Sequence, residues 1–204
     1  MRIVVIGGSR GTGRALAALA VARGHEVVAA SRSGTGPDGA SAVAVDAADA
    51  EALRPMLRGA DAVAVTVGPT KGAERARTAV TRAVVAAMAA EGVRRIVVQS
   101  STGVGSSIEH LPALLRPVMR KLLDDALADH LEQEEAVRAS GLAWTIVRPT
   151  GLKNGSADGT VITVLEGEKG TVRGTITRER LAAWMLDALE NDALAGKAVS
   201  ISAA

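Results

Sequence analysis

The stretch "VVIGGSRGTG", Val4 to Gly13, can carry two kinds of chemistry. Gly7-Gly8-Ser9-Arg10-Gly11 fits G-x-S-x-G, the elbow that lifts a serine nucleophile for acyl transfer. Gly7, Gly11 and Gly13 also form a G-x-x-x-G-x-G turn, whose backbone can hold a pyrophosphate at a helix N-terminus. Position separates the two readings. A nucleophile elbow follows a central strand reached after several earlier strand–helix units, whereas this turn follows the first apolar run of the chain. Ser9 is therefore read as part of a phosphate cradle, together with Gly7, Gly8, Arg10, Gly11, Thr12 and Gly13.

A dinucleotide cradle needs a ribose-reading residue at the end of the second strand. An acid there holds the ribose hydroxyls of NAD, and an arginine accommodates a 2′-phosphate. The chain has "AASRS", giving Ser31, Arg32 and Ser33 with no acid. Arg10 supplies a second guanidinium within the turn, and such groups make strong charge-assisted bonds to phosphate. The expected cofactor is NADP(H), with a solvated loop arginine as the plain alternative for Arg32.

Composition removes other chemistries. There is no Cys, and His25, His110 and His130 are far apart in sequence, so neither a thiolate nor a metal site is expected. With no Phe, no Tyr and only two Trp, base-stacking platforms are missing. Lys and Arg exceed Asp and Glu by 24 to 22, so the pI of 9.4 reflects a slight excess and not a polybasic face. Nucleic acid is not an expected partner. No run approaches the ~18 apolar residues of a membrane span, and the first residues read as a strand, not a signal peptide. A cytoplasmic protein is expected, acting on a small molecule as a monomer or homodimer.

The elements that position these groups alternate. "RIVVIG", "HEVVAASR", "SAVAVDA", "DAVAVTVG", "VRRIVVQSS" and "LAWTIVRP" read as strands, separated by helical stretches. Asp49 is a candidate N-cap for "DAEALRPMLRG", and Gly92 and Gly141 end the helices "AERARTAVTRAVVAAMAAEG" and "RKLLDDALADHLEQEEAVRASG". Apolar strands alternating with helices predict a doubly wound, mostly parallel α/β Rossmann sheet in one domain over residues 1–204. The tail carries a strand-like "GTVITVLEGEKGTVRGTIT", a helix capped by Thr177 and a last strand, "KAVSIS". A small C-terminal substrate lid is expected, from segments near 103–120 and 151–176. Gly34, Gly36 and Gly39 predict a mobile loop after the second strand.

These residues, with "VAVDAAD", "VTVG", "DHLEQEEAVRASGLAWTIVRPTGL" and "GTITRERLAAWML", resemble the short-chain dehydrogenase/reductase superfamily over nearly the whole chain. More narrowly they resemble its atypical branch of NmrA-like and biliverdin-reductase-B or flavin-reductase-like proteins. The resemblance implies that Asp46, with Ala47, meets the adenine amino group, although a turn role also suits Asp46. It implies that Val67 and Gly68 run beside the nicotinamide ribose. Ser100, Ser101 and Thr102 would face the nicotinamide and substrate, and Pro149, Thr150, Gly151 and Leu152 would pack beside the carboxamide. Turn chemistry also favours hydroxyl residues at 100–102.

One departure matters. The wider superfamily uses a Tyr-x-x-x-Lys pair, but this chain has no tyrosine; the two positions fall at Ala126 and His130. The narrower branch also lacks the pair and carries "DDH" where this chain has Ala128-Asp129-His130. A conjugated acceptor (flavin, tetrapyrrole, quinone or enone) can take a hydride and collect its proton from water. The expected activity is NADPH-dependent reduction of such an acceptor, with Ser101 and Thr102 orienting it and His130 supplying a proton near neutrality. The alternatives are a non-catalytic NADP(H)-binding redox sensor, a redox-neutral or tailoring enzyme, and a structural imidazole at His130. The acids from Asp124 to Glu135 are expected on a solvated helix face. Leu111, Leu114, Leu115, Val118 and Met119 suit an apolar acceptor.

Overall fold

The computed structural model describes residues 1–68 and 75–204, with the side chains of 119–124 outside the description. Strands β1 (Arg2–Ile6), β2 (Glu26–Ser31), β3 (Ser41–Ala44), β4 (Ala62–Val65), β5 (Arg95–Gln99) and β6 (Ala143–Pro149) form where the apolar runs predict them. They pair in parallel in the order β3-β2-β1-β4-β5-β6, and β10 (Lys197–Ala203) adds a further parallel strand. The order reverses between β1 and β4, which opens a crevice at their C-terminal ends.

Alternation along each strand divides the core. Val4, Ile6, Val63, Val65, Ile96 and Val98 face one side, which α2 (Ala50–Leu57), α3 (Ala76–Glu91) and α4 (Arg116–Arg138) cover. Ile3, Val5, Ala62, Ala64 and Val97 face the other, under α1 (Gly11–Ala22) and α5 (Arg178–Leu189). Small residues such as Ala17, Ala20 and Ala182 let α1 and α5 pack closely on that side. Asp49 caps α2 by accepting from Ala52 N at 3.1 Å, and Thr177 caps α5 by accepting from Arg180 N at 3.1 Å, as predicted.

Three expectations change. The tail is not wholly a lid, because β8 (Val161–Leu165) returns to the main sheet and pairs antiparallel with β10. What flanks the crevice is a separate two-stranded sheet of β7 (Gly151–Lys153) and β9 (Thr175–Thr177). Segment 103–120, expected as part of the lid, is built of regular elements: two 3-10 turns lead into α4, which starts at Arg116 with Pro117 in its first turn. The loop after β2 is packed. Gly36 O accepts from Arg14 Nη1 at 2.7 Å, a hydroxyl chain links Ser31, Ser33 and Thr35, and a Cβ on Gly36 would lie 3.0 Å from Ala29 Cβ. The first residues of the predicted third helix, Ala73 and Glu74, lie outside the described residues.

Candidate functional site

A cleft of about 1220 Å³ runs along the C-terminal edge of the parallel strands. Single small-ligand pockets span roughly 300–1,000 Å³, so this one has room for a dinucleotide and a second molecule. The predicted residues Gly7, Ser9, Arg10, Gly11, Thr12, Ser31, Arg32 and Ser33 line one end of the set, and Asp46, Ala47, Val67 and Gly68 line the same cleft. So do Ser100, Ser101, Thr102, His130, Pro149, Thr150, Gly151 and Leu152.

Gly8 and Gly13 are not among the lining residues, and their role is steric. A Cβ on Gly8 would lie 2.9 Å from Ala29 Cβ, and one on Gly13 would lie 2.3 Å from both Gly7 O and Thr66 Oγ1. Gly7 turns with φ +89° and Gly11 with φ +56°, conformations that disfavour a side chain. Helix α1 then begins without a capping side chain and without an acid in its first turn. Its first N–H groups, without side-chain partners among the described residues, and its positive dipole end form a seat for an anion. The crowded turn and the uncapped helix fit a dinucleotide pyrophosphate.

Around this seat the exposed side chains of Arg10 and Arg32 line the cleft. Asp46 is exposed, and its Oδ1 accepts from Ala48 N at 3.0 Å, so the turn role is filled by one oxygen while the carboxylate still edges the cleft.

The hydroxyls at the end of β5 are arranged differently from the expectation. Ser100 Oγ donates to Glu134 Oε1 at 2.6 Å, and Thr102 Oγ1 donates to Arg148 O at 2.6 Å; both residues are buried. Their protons are committed to the protein. Ser101 alone of the three is half-exposed, with a longer bond of 3.3 Å to Thr102 O. Thr102 therefore positions the strand end, and Ser101 is the hydroxyl available to a bound molecule. Thr150 Oγ1 and Gln99 Oε1 are buried beside the cleft with no hydrogen-bond partner among the described residues.

His130 is corrected as a proton donor near neutrality. Burial, with the Arg77 charge nearby, lowers its pKa from 6.5 to about 4, against the opposing effects of Gln133 and Asp129. Gln133 Nε2 donates to Thr81 Oγ1 at 3.1 Å, which leaves Gln133 Oε1 to accept from His130 Nδ1 at 3.0 Å. This assignment places the proton of the neutral ring on Nδ1 and leaves Nε2 as an acceptor. Well above pH 6.5 both the folded and the unfolded ring are neutral. As the pH falls toward 4 the unfolded chain takes the proton first, so stability declines across that window. Denaturation at pH 7 and pH 5 should show a smaller acid loss in His130→Gln than in the wild type; an equal loss would contradict the assignment.

The acid-rich face of α4 is likewise not wholly solvated. Asp129 is buried and accepts from Thr78 N at 3.0 Å, Thr78 Oγ1 at 2.8 Å and Arg77 Nη1 at 3.1 Å, closing the N-terminus of α3. Burial opposes its charge, but those bonds hold its pKa below the usual carboxylate value. Glu134 is 1% exposed and pairs with Arg148 on β6 at 2.5 Å, while Arg138, one helical turn on, stands 3.7 Å away. Arg148 also reaches Glu166 at 2.9 Å, so α4, β6 and the residue after β8 share one ionic network beneath Ser100. The side chain of Asp124 lies outside the described residues.

Of the predicted apolar set, Leu111 and Leu115 line the cleft, whereas Leu114 is 91% exposed and Val118 faces solvent. The side chain of Met119 lies outside the described residues. Sequence reasoning missed Arg173, Asn154 and Arg178, which line the cleft from the tail. Their only sequence signal was the capped helix start at Thr177, which gives no direction. His110 bridges to Ser200 Oγ at 2.8 Å and is a buried structural residue, and His25 pairs with Glu190 at 2.7 Å in its turn.

Residues 7–192 match the family described as NAD(P)H-binding, and the chain belongs to it. A curated relative, an uncharacterised chloroplastic protein of Arabidopsis thaliana, is 33% identical over 115 residues, 55% of this chain and 40% of its own length. Solved structures share the fold at low identity. The oxidoreductase ylbE of Lactococcus lactis has a TM-score of 0.86 at 18% identity, covering 100% of this chain and 91% of its own. ChuY, an anaerobilin reductase of Escherichia coli O157:H7, gives 0.83 at 23%, covering 100% and 97%. A short-chain dehydrogenase/reductase of Veillonella parvula in complex with NADP gives 0.82 at 15%, covering 98% and 94%.

Proposed function

We propose that the protein is an NADPH-dependent oxidoreductase that reduces a conjugated acceptor such as a flavin, tetrapyrrole, quinone or enone. The observation that carries this reading is the single cleft in which an uncapped α1, two exposed arginines and the end of β5 line up along the crevice. When bound, the cofactor would supply a hydride to the acceptor. The protein's part is placement. The α1 N–H groups and Arg10 would hold phosphate, Arg32 would bond the 2′-phosphate, and Asp46 would meet the adenine edge. Leu111, Pro112 and Leu115 give an apolar wall that would exclude water from a flat acceptor. Ser101 would orient that acceptor, and the neutral His130 would accept a hydrogen bond. With no tyrosine in the chain and a neutral imidazole, the proton would come from solvent to an acceptor that can delocalise the incoming electron pair. That an anaerobilin reductase shares the fold supports a tetrapyrrole among the acceptors to be tried.

The committed hydroxyls of Ser100 and Thr102 also suit a second reading, a non-catalytic NADP(H) sensor, because such a protein needs no hydroxyls to orient a reacting acceptor. Consumption of NADPH in the presence of the four acceptor types separates the two: the enzyme turns over, and the sensor binds NADPH without loss of the reduced form. For cofactor choice, Arg32→Asp should weaken NADPH binding by about 100-fold, since a charge-assisted bond is replaced by repulsion, and should leave NADH binding nearly unchanged. Equal weakening of both cofactors would remove Arg32 from the 2′-phosphate.

A further inference from the structure

Arg178, the first residue of α5, overhangs the anion seat. A Cβ on Gly11 would stand 3.5 Å from Arg178 Cδ and 3.6 Å from its Nε, so the guanidinium arm crosses the first residue of α1. Arg178 Nη1 donates to Asn154 Oδ1 at 2.8 Å, and both side chains belong to residues that line the cleft. The partner is neutral, so it orients the guanidinium without cancelling its charge.

The two helix starts at this corner differ. The N-terminus of α5 carries a side-chain cap, Thr177, and an acid, Glu179, in its first turn. That of α1 has neither. An anion placed here therefore takes its amide donors from α1, and α5 contributes a side-chain cation. Thr177 Oγ1 also donates to Ser156 O at 2.7 Å, which ties the start of α5 to the segment carrying Asn154.

From this geometry we infer that Arg178 is a pyrophosphate clamp, closing over a dinucleotide diphosphate seated on residues 9–13 and held in aim by Asn154. The inference rests on the cofactor reading above and adds a division of labour to it. The diphosphate is common to both nicotinamide dinucleotides, so Arg178 contributes affinity to each alike, whereas Arg32 discriminates between them.

The test measures dissociation constants of NADPH, NADH and adenosine 2′-monophosphate for the wild type, Arg178→Ala, Arg178→Lys and Asn154→Ala, with thermal unfolding read alongside. Arg178→Ala should weaken both dinucleotides by about 10- to 100-fold, the range for losing a charge-assisted bond. Adenosine 2′-monophosphate lacks the diphosphate, and its binding should not change. Arg178→Lys should recover part of the loss, and Asn154→Ala should weaken both dinucleotides to a smaller, equal degree. Should the alanine variant fail to fold, those two decide the matter. Selective loss of NADPH, or unchanged binding of both dinucleotides in folded variants, would overturn the clamp while leaving the cofactor reading intact. A wild-type chain that binds neither dinucleotide would overturn both.

Discussion

Glu134→Ala should lower folding stability by about 3–5 kcal/mol, the effect of leaving one partner of a buried ion pair uncompensated. Glu134 and Arg148 are 1% and 2% exposed, and Arg148 reaches the carboxylate through Nε at 2.9 Å and Nη2 at 2.5 Å. Burial alone would lower the Arg148 pKa, and the Glu134 bond with the charges of Glu134 and Glu166 raises it. An arginine keeps its proton even without that partner, so the guanidinium stays charged when Glu134 is removed. Glu166, on the more open side, remains as a partial partner. Ser100 Oγ loses its acceptor in the same variant, which loosens the end of β5 beside the cleft. Urea denaturation measures the effect, and a loss below about 1 kcal/mol, as for an exposed pair, would show that the network is not what holds α4 to β6.

Gly13→Ala should combine a stability loss of about 1–3 kcal/mol with a cofactor affinity reduced on the order of 100-fold. The added Cβ would fall 2.3 Å from Gly7 O and from Thr66 Oγ1. Thr66 Oγ1 cannot easily retreat, because it donates to Ile6 O at 2.9 Å across the β1–β4 junction. Helix α1 must move instead, carrying its N–H groups away from the phosphate. Binding of NADPH followed by fluorescence, together with thermal unfolding, gives both quantities. Wild-type affinity in a folded Gly13→Ala protein would disconnect the turn from cofactor binding.

Much of the scaffold was legible in the chain because parallel strands buried on both faces leave continuous apolar runs. The glycine turn was legible for a related reason: close backbone approach admits only one residue type. Burial of Asp129 and Glu134 was not legible. Both sit in an acid-rich helical stretch, and what draws them inside are cations and hydroxyls on α3 and β6, which no local pattern reports. His130 shows the same limit from the opposite side. Its ordinary pKa suits proton delivery, but the packed environment between α3 and α4 suppresses its charge. Arg178 escaped notice because its relation to Gly11 exists only once α1 and α5 pack together on one face of the sheet. The return of Val161–Leu165 to the sheet edge was hidden similarly, since its partner strand comes after α5.

The central claim is that the cleft brings a reduced nicotinamide to a conjugated acceptor. NADPH carrying deuterium at the transferring position of C4, incubated with the protein and each acceptor in turn, tests it most directly. Deuterium held on carbon in a reduced enone or tetrapyrrole, or NADPH loss that requires a flavin or quinone (whose N–D and O–D exchange with water), is the predicted result, and either is weakened in Gly13→Ala at limiting NADPH. Tight NADPH binding with no acceptor-dependent NADPH loss and no label on an enone or tetrapyrrole would contradict it and leave a cofactor sensor.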